Sequence, residues 1–313
     1  MNDGGVRAPS VSEWVIGLDL GGTDLKYGRV RGDGTLEGFR RTPSRTDESA
    51  EAPLSVLTDC VRALAGDHRP RAVGIGCPGV IDVRGGLVGE TAHLPHWRDV
   101  PLAQLIGDRT GCVTVVDNDA NCAALAEARV GAGRGGSVVL MITLGTGIGA
   151  GLVVNGRVHR GAHGGAGEIG HIPLGDGRLA CRCGVPNCVE PEASGSGLAR
   201  QAREAGLGDL DAAGVFGLAA RGDARAQAMI DRFADRLGAV IAIAVQMVDP
   251  ELVVIGGGVA QAGEPLLTGV RRSFEHHVLA SHRRRTRIVP AALGERAGVV
   301  GAGLLAWDHV QTA

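Results

Sequence analysis

Four potential metal ligands crowd into one short stretch of the chain, GHIPLGDGRLACRCGVPNCVE, which runs from Gly170 to Glu190. They are His171, Cys181, Cys183 and Cys188. A CxCx4C cluster with a histidine upstream offers four soft or borderline donors, the number that closes a tetrahedral zinc site. Gly175, Gly177, Gly184 and Pro186 suit the tight turns that bring nearby ligands onto one ion. Such a cluster predicts a structural metal and by itself no activity. Its interest lies at its edges. Glu168 stands just before it and Glu190 just after, so folding around an ion would fix two carboxylates near one another.

Two glycine turns supply a second kind of chemistry. Asp19-Leu20-Gly21-Gly22-Thr23 closes an apolar run, and Leu144-Gly145-Thr146-Gly147-Ile148-Gly149 closes another. Glycine lets backbone N–H groups approach a phosphate closely, and a threonine hydroxyl adds a donor. Asp19 suits a magnesium ion held through water. Either turn alone also reads as a plain hairpin; the pair suggests a clamp on a polyphosphate. Neither carries the GKS/T ending of a Walker loop, and hairpins rather than helices follow, which argues against a dinucleotide fingerprint. Asp117-Asn118-Asp119-Ala120-Asn121 sits where a strand gives way to a helix. Its side chains read either as helix caps or as a general base with a positioning amide for phosphoryl transfer. Glu168, His171 and Glu190 would suit the hydroxyls of a polyol.

The elements that must position these groups follow from pattern. Residues 14–20, 25–31, 35–41, 71–76, 113–117, 137–144, 148–154, 251–255 and 287–290 read as strands. Residues 48–65, 100–109, 118–130, 191–205, 224–248 and 297–307 read as helices. Each half opens with strands around a Gly-Thr turn and continues as alternating helices and strands. Two similar mixed α/β halves would make a cleft where small ligands bind. At 313 residues with 3% aromatics, the chain suits two lobes whose cores are built from Ala, Val, Leu and Ile. A net charge of -2 favours neither nucleic acid nor anionic membrane. The basic run His282 to Arg287 reads as a solvated loop before a strand. No apolar run reaches the roughly 18 residues of a membrane span. The polar start MNDGGVRAPSVSE lacks a signal-peptide core, and Cys60, Cys77, Cys112 and Cys122 form no disulfide framework. The expected setting is the cytoplasm.

Taken in order, these segments resemble the ROK family, the sugar kinases and repressors of the hexokinase–actin superfamily. The resemblance rests on the two turns, Asn118-Asp119-Ala120-Asn121, Gly167-Glu168-Ile169-Gly170-His171, Cys181-Arg182-Cys183-Gly184, Cys188-Val189-Glu190 and Val254-Ile255-Gly256-Gly257-Gly258. It covers the chain from Val15 to Trp307. It implies an α/β, two-lobed actin-like ATPase (ribonuclease H-like) fold with a zinc-binding knot in the larger lobe. The expected lobes are residues 1–119, with a C-terminal helix of about 297–313 packing back, and residues 120–296. The implied activity is ATP-dependent phosphorylation of a hexose at the 6-hydroxyl, with Mg2+ as catalytic and Zn2+ as structural ion. Asp119 is the implied base. Asn118, Glu168, His171 and Glu190 are the implied sugar contacts, with Gly79, Val80 and Thr91 from the small lobe. Asp19, Gly21, Gly22, Thr23, Gly145, Thr146 and Gly147 fall in the phosphate loops, and Gly256, Gly257 and Gly258 near the adenosine. His171, Cys181, Cys183 and Cys188 hold the zinc. The family is often dimeric or tetrameric, so a homo-oligomer is expected, with sugar and ATP as partners and no nucleic acid or membrane.

Four departures from the family pattern bear on substrate: His93 before Leu94, Asp24 after the first turn, Asn187 in the cysteine cluster, and Glu192 two positions after Glu190. The added acidity of Glu192 is compatible with a cationic amino sugar such as a 3-amino-3-deoxyglucose. A sugar-sensing regulator is the alternative of another class; the 14 residues before Val15 are too few for a helix-turn-helix domain, which favours the kinase.

Overall fold

The computed structural model describes residues 13–89, 91 and 93–312. The polar N-terminal start, residues 1–12, lies outside the described residues. The chain divides into two compact units: Met1–Cys122 with Gly298–Ala313, and Ala123–Ala297.

The first unit is built on β1 (Val15–Leu20), β2 (Asp24–Val30), β3 (Leu36–Pro43), α1 (Glu51–Ala65) and β4 (Val73–Cys77). It continues through three two-residue strands, β5 (Ile81–Asp82), β6 (Leu87–Val88) and β7 (Val100–Pro101), then α2 (Leu102–Thr110), β8 (Thr114–Asn118) and the start of α3 (Asp119–Val130). The main sheet runs β3-β2-β1-β4-β8; β5 to β7 form a small antiparallel sheet of their own. β1 pairs antiparallel with β2 and parallel with β4, and β4 pairs parallel with β8. Strand β4 is buried along its whole length, as a central parallel strand covered on both faces must be. Helix α1 turns Leu54, Leu57, Val61 and Leu64 inward, the three-to-four spacing of an amphipathic helix. The C-terminal helix Ala297–Thr312 packs tightly on this sheet. A Cβ built on Gly17 would lie 2.1 Å from Val299 O, and one on Gly74 1.8 Å from Ala302 O, so glycine at both strands permits the contact. Trp307 fixes its far end by donating Nε1–H to Val30 O at 3.0 Å.

The second unit contains β9 (Val138–Leu144), β10 (Ile148–Val154), β11 (Arg157–His159), α4 (Glu190–Ala193), α5 (Gly195–Glu204), α6 (Ala212–Ala220) and α7 (Ala224–Val248). It closes with β12 (Leu252–Gly256), α8 (Glu264–His277), α9 (Ala280–Arg283) and β13 (Arg287–Pro290). Its sheet runs β11-β10-β9-β12-β13, strand for strand the order of the first sheet, with the same antiparallel and parallel pairings. The internal echo read from two Gly-Thr turns is thus a duplicated topology. Helix α7 is capped by the Asp223 side chain, which accepts from Arg225 N and Ala226 N, and buries Met229, Ile230, Phe233, Leu237, Val240 and Ile241. Glu127 of α3 is fully buried. Its carboxylate accepts N–H groups from Ala132, Ala292 and Leu293, the pairing a buried charge requires. No helix among the described residues is long and apolar enough to cross a membrane.

Four sequence expectations need correction. Residues 100–101 are a strand, because Val100 pairs with Val88 and the helix starts at Leu102. The single helical run 191–205 breaks at Ser194, whose extended backbone and side chain cap α5 through Gly197 N. Three helices, α6, α8 and the short α9, have no counterpart among the helices read from sequence. In α8 Gly263 and Pro265 resemble a loop, but the proline falls in the first turn, where its missing N–H costs no hydrogen bond. The basic run begins inside α9 rather than in a loop.

Candidate functional site

The first unit divides three adjacent polar residues among three tasks. Asp117, 1% exposed, turns into the protein and accepts from Asn118 N at 2.7 Å and Asn121 Nδ2 at 3.0 Å. Asn118 caps α3: its Oδ1 accepts from Ala120 N at 2.9 Å and Asn121 N at 3.2 Å. Its Nδ2 donates to Gly79 O at 3.1 Å. Asp119 is half-buried in the first turn of α3, with Oδ1 accepting from Ala120 N at 2.8 Å. Burial raises its pKa; the Ala120 N–H, the His93 charge and Lys26 act in the opposite direction. The capping reading of this cluster holds for Asn118.

Asp19 lies at the end of β1 in the same unit. Burial pushes its pKa up to about 6; Lys26 opposes the shift and the Asp119 charge adds to it. Lys26 is its cross-strand mate, with Nζ 3.6 Å from Oδ2. A Cβ on Gly298 would lie 2.4 Å from the Asp19 carboxyl carbon, so the first turn of the C-terminal helix closes directly over this carboxylate. Cys77 is buried nearby, and burial together with the two aspartates holds its thiol well above the usual range. The turn Gly21-Gly22-Thr23 is closed by Gly21 N donating to Asp24 O at 2.9 Å. It is tied from behind by Thr46 Oγ1 donating to Gly22 O and Ser44 N donating to Thr23 O. His93 faces this turn: a Cβ on Gly22 would lie 3.5 Å from its Nδ1. Gly79 adopts φ +103 and lies against Thr91, so Gly79, Thr91 and Asn118 form one group, with Val80 47% exposed beside them. Asp24 faces Arg41 at 3.8 Å across the β2–β3 pair.

The second unit gathers the remaining residues around the β9–β10 turn. Gly145 N donates to Gly147 O at 3.0 Å. Gly257 adopts φ +89, and a Cβ there would lie 2.4 Å from Leu144 O, so the Gly256–Gly258 loop packs on the base of this turn. Gly167 and Gly170 lie equally close to Ala150 O and Ile148 O of β10. The short 3-10 helix Ile169–His171 is thereby laid along β10, and it presents Glu168 and His171. Glu190 opens α4, and its Oε2 accepts from Ile148 N at 3.0 Å.

His171, Cys181, Cys183 and Cys188 do come together, with their ligand atoms all within 4.8 Å of one another. His171 Nδ1 is 3.3 Å from Cys188 Sγ and 3.9 Å from Cys181 Sγ. Zinc–sulfur bonds of about 2.3 Å place tetrahedral ligands about 3.8 Å apart, so the cluster has the size of a zinc site. The outer nitrogen, Nε2, lies 3.7 Å from Glu168 Oε2, the kind of partner that fixes a ligating imidazole. Gly175 N to Asn187 O and Val189 N to Ile172 O stitch the stem of this knot. Asn187 adopts φ 56, which explains how it can stand where glycine is usual: asparagine tolerates the left-handed region.

Glu192, the departure compatible with a cationic amino sugar, is paired rather than free. Its side chain is 12% exposed, pairs with Arg236 Nε at 2.9 Å and accepts from Asp176 N at 2.5 Å. Its charge is spent on the knot and on α7. Sequence reasoning missed Lys26, Gly298 and Arg236. Lys26 was recoverable, since the hairpin register sets it opposite Asp19. Arg236 carried no local signal, because 44 residues separate it from Glu192.

The chain is similar to known proteins along nearly its whole length. The ROK family model matches residues 15–309. A glucokinase from Halalkalibacterium halodurans is 36% identical over 312 residues, 93% of this chain and 94% of its own. The ROK hexokinase from Thermus thermophilus superposes with TM-score 0.82 at 35% identity, over 96% of this chain and 100% of that one. A ROK glucokinase from Streptomyces griseus in complex with glucose and AMPPNP gives TM-score 0.83 at 34% identity, over 94% and 99%. With a family match over nearly its whole length and relatives above 30% identity, the chain belongs to the ROK family.

Proposed function

We propose that this sugar kinase transfers the γ-phosphoryl group of ATP to the 6-hydroxyl of a hexose, glucose or a close relative. The observation that carries the reading is the division of labour in Asp117-Asn118-Asp119. Asp117 is turned inward, Asn118 caps α3 with Oδ1 while its amide nitrogen lies at the Gly79 group, and Asp119 is a half-buried carboxylate with a raised pKa. Asp119 takes the hydroxyl proton as the sugar oxygen attacks the γ-phosphorus, and ADP leaves. Gly79, Val80, Thr91 and Asn118 contact the sugar in the first unit, and Glu168, His171 and Glu190 in the second. Gly21, Gly22, Thr23, Gly145, Thr146 and Gly147 donate to phosphate oxygens, and Gly256 to Gly258 receive the adenosine.

Asp19 is the residue to hold the water shell of magnesium, which when bound neutralises charge on the phosphate oxygens. Burial raises the pKa of Asp19, with the Asp119 charge a lesser cause, so a divalent cation there would favour the ionised carboxylate. His171, Cys181, Cys183 and Cys188 suit a structural zinc that fixes the stem carrying His171 and Glu190. The pairing of Glu192 with Arg236 supports a neutral hexose over a cationic amino sugar. Seven free cysteines suit a reducing cytoplasm, and a homo-oligomer is the expected assembly.

The test is a coupled ADP-release assay with ATP and magnesium. The panel holds glucose, mannose, fructose, 6-deoxyglucose, glucosamine, N-acetylated hexosamines and a 3-amino-3-deoxyglucose. Preference for a neutral hexose, with no turnover of 6-deoxyglucose, is expected. Turnover of 6-deoxyglucose at the rate of glucose would rule out the 6-hydroxyl as acceptor, and preference for an amino sugar would restore the alternative.

A further inference from the structure

We infer that Glu190 is a positioning residue for the second glycine turn, so that a sugar contact and a phosphate turn are built as one mechanical piece. The inference rests on the reading above for what each part binds. The turn Gly145-Thr146-Gly147 is held from outside by the segment that follows the cysteine knot. Glu190 Oε2 accepts Ile148 N–H at 3.0 Å, immediately after the turn. The same oxygen covers Gly147, since a Cβ built there would lie 2.5 Å from it and 3.2 Å from the Glu190 carboxyl carbon. Gly195 N donates to Gly145 O at 2.8 Å. Ser196 donates to Thr146 O from Oγ at 2.5 Å. The second carboxylate oxygen of Glu190 lies 3.8 Å from Cys181 Sγ, on the knot itself.

A carboxylate beside a phosphate turn repels the phosphate, so it has no use there as a direct ligand. Its use is mechanical. A charge-assisted bond to Ile148 N–H is among the stronger bonds available to a loop, and it sets where the N–H groups of the turn point. Gly147 therefore lacks a side chain for a reason separate from phosphate approach: Glu190 occupies the space. A sugar that engages the other oxygen of Glu190 also fixes the turn, and by linkage a nucleotide on the turn must favour the sugar to the same degree.

The experiment is calorimetric titration of the zinc-loaded full chain with AMPPNP and magnesium, in the absence of sugar. Glu190→Ala should weaken nucleotide binding roughly ten-fold, as loss of a charge-assisted bond predicts. Gly147→Ala should do the same and also raise the sugar KM, because its Cβ displaces a flexible carboxylate while the backbone stays. Glu190→Gln keeps an acceptor for Ile148 N–H, so its nucleotide affinity should remain close to wild type while its sugar KM rises. Unchanged nucleotide affinity in Glu190→Ala, with zinc retained, overturns the inference and leaves the kinase reading intact. If Glu190→Ala loses zinc, Glu190→Asp decides: its shorter carboxylate keeps the charge beside the knot but falls short of Ile148 N–H, so unchanged nucleotide affinity there overturns the inference. Failure of the wild type to bind nucleotide overturns the donor reading and the inference with it. Normal nucleotide binding with no hexose turnover overturns only the acceptor reading.

Discussion

The two five-stranded sheets share one strand order but differ in charge at matching positions. In the first, the residue before the end of β1 is Asp19, paired with Lys26 on β2 and Gly76 on β4. In the second, the matching position on β9 is Thr143, paired with Gly149 on β10 and Gly256 on β12. A carboxylate and an ammonium in one sheet are replaced by a hydroxyl and a glycine in the other. The scaffold is therefore indifferent to the chemistry placed at its turn. The first sheet concentrates ionisable groups, Asp19, Lys26 and Asp119, at the cost of raised carboxylate pKa values. The second leaves its turn small and neutral, and puts its charge on segments laid over it, at Glu168 and Glu190.

The largest expected effect breaks the charged side of this comparison. Asp119→Asn should lower kcat by about 10²- to 10⁴-fold, the usual worth of a general base. Sugar binding measured by calorimetry should survive, because the carboxylate acts mainly in the transition state. Near-normal turnover would move the base elsewhere.

Asp19→Asn comes next and carries a pH signature. The folded pKa of about 6 exceeds the ordinary 3.8, so the folded state holds this proton more tightly than the unfolded chain. The stability linked to the proton is full below 3.8 and is lost as pH rises through about 6. Thermal melts should therefore show Asp19→Asn gaining on wild type as pH rises across that window, while its magnesium-dependent activity falls. Thr143→Val, at the matching position of the second sheet, should show no such crossover. Parallel melting curves for Asp19→Asn and wild type would mean that Lys26 already compensates the buried charge.

Much of this was legible in the sequence because it depends on local pattern. The central strands β1, β4, β9 and β12 show as apolar runs, while the short polar β11 leaves no such trace, and the cysteine spacing marks a cluster of potential metal ligands before any fold is known. The duplicated topology was visible only as two Gly-Thr turns, since strand order depends on pairings that no local pattern records. Glu192 shows the limit most clearly. Its sequence position suggested acidity free to meet a substrate, but burial removes that option: a carboxylate 12% exposed must find a partner, and it finds Arg236 on a distant helix. Helix α8 was hidden by Gly263 and Pro265, which signal a loop unless the proline falls in the first turn. Asp117 and Asp119 looked equivalent by type; the hydrogen bonds of the first to Asn118 N and Asn121 Nδ2 separate them.

The smallest effects sharpen the neutral side of the comparison. If the second unit depends on its overlying segments for geometry, the Arg236–Glu192 pair should support the knot without entering the chemistry. Glu192 accepts Asp176 N–H inside the stem, so Arg236→Met should loosen the stem and weaken zinc retention against a chelator by up to about ten-fold, toward the low end for outer-shell partners. Glu192→Gln keeps the stem acceptor but removes the charge opposite Arg236, so it should weaken zinc less. The ratio of neutral-hexose to amino-hexose turnover should be the same in Glu192→Gln as in wild type, because a carboxylate already neutralised by a guanidinium has little field left for a cationic substrate. A ratio that shifts toward neutral sugars in Glu192→Gln, with zinc content unchanged, would show that the ion pair opens in the complex and that this carboxylate reads the substrate after all.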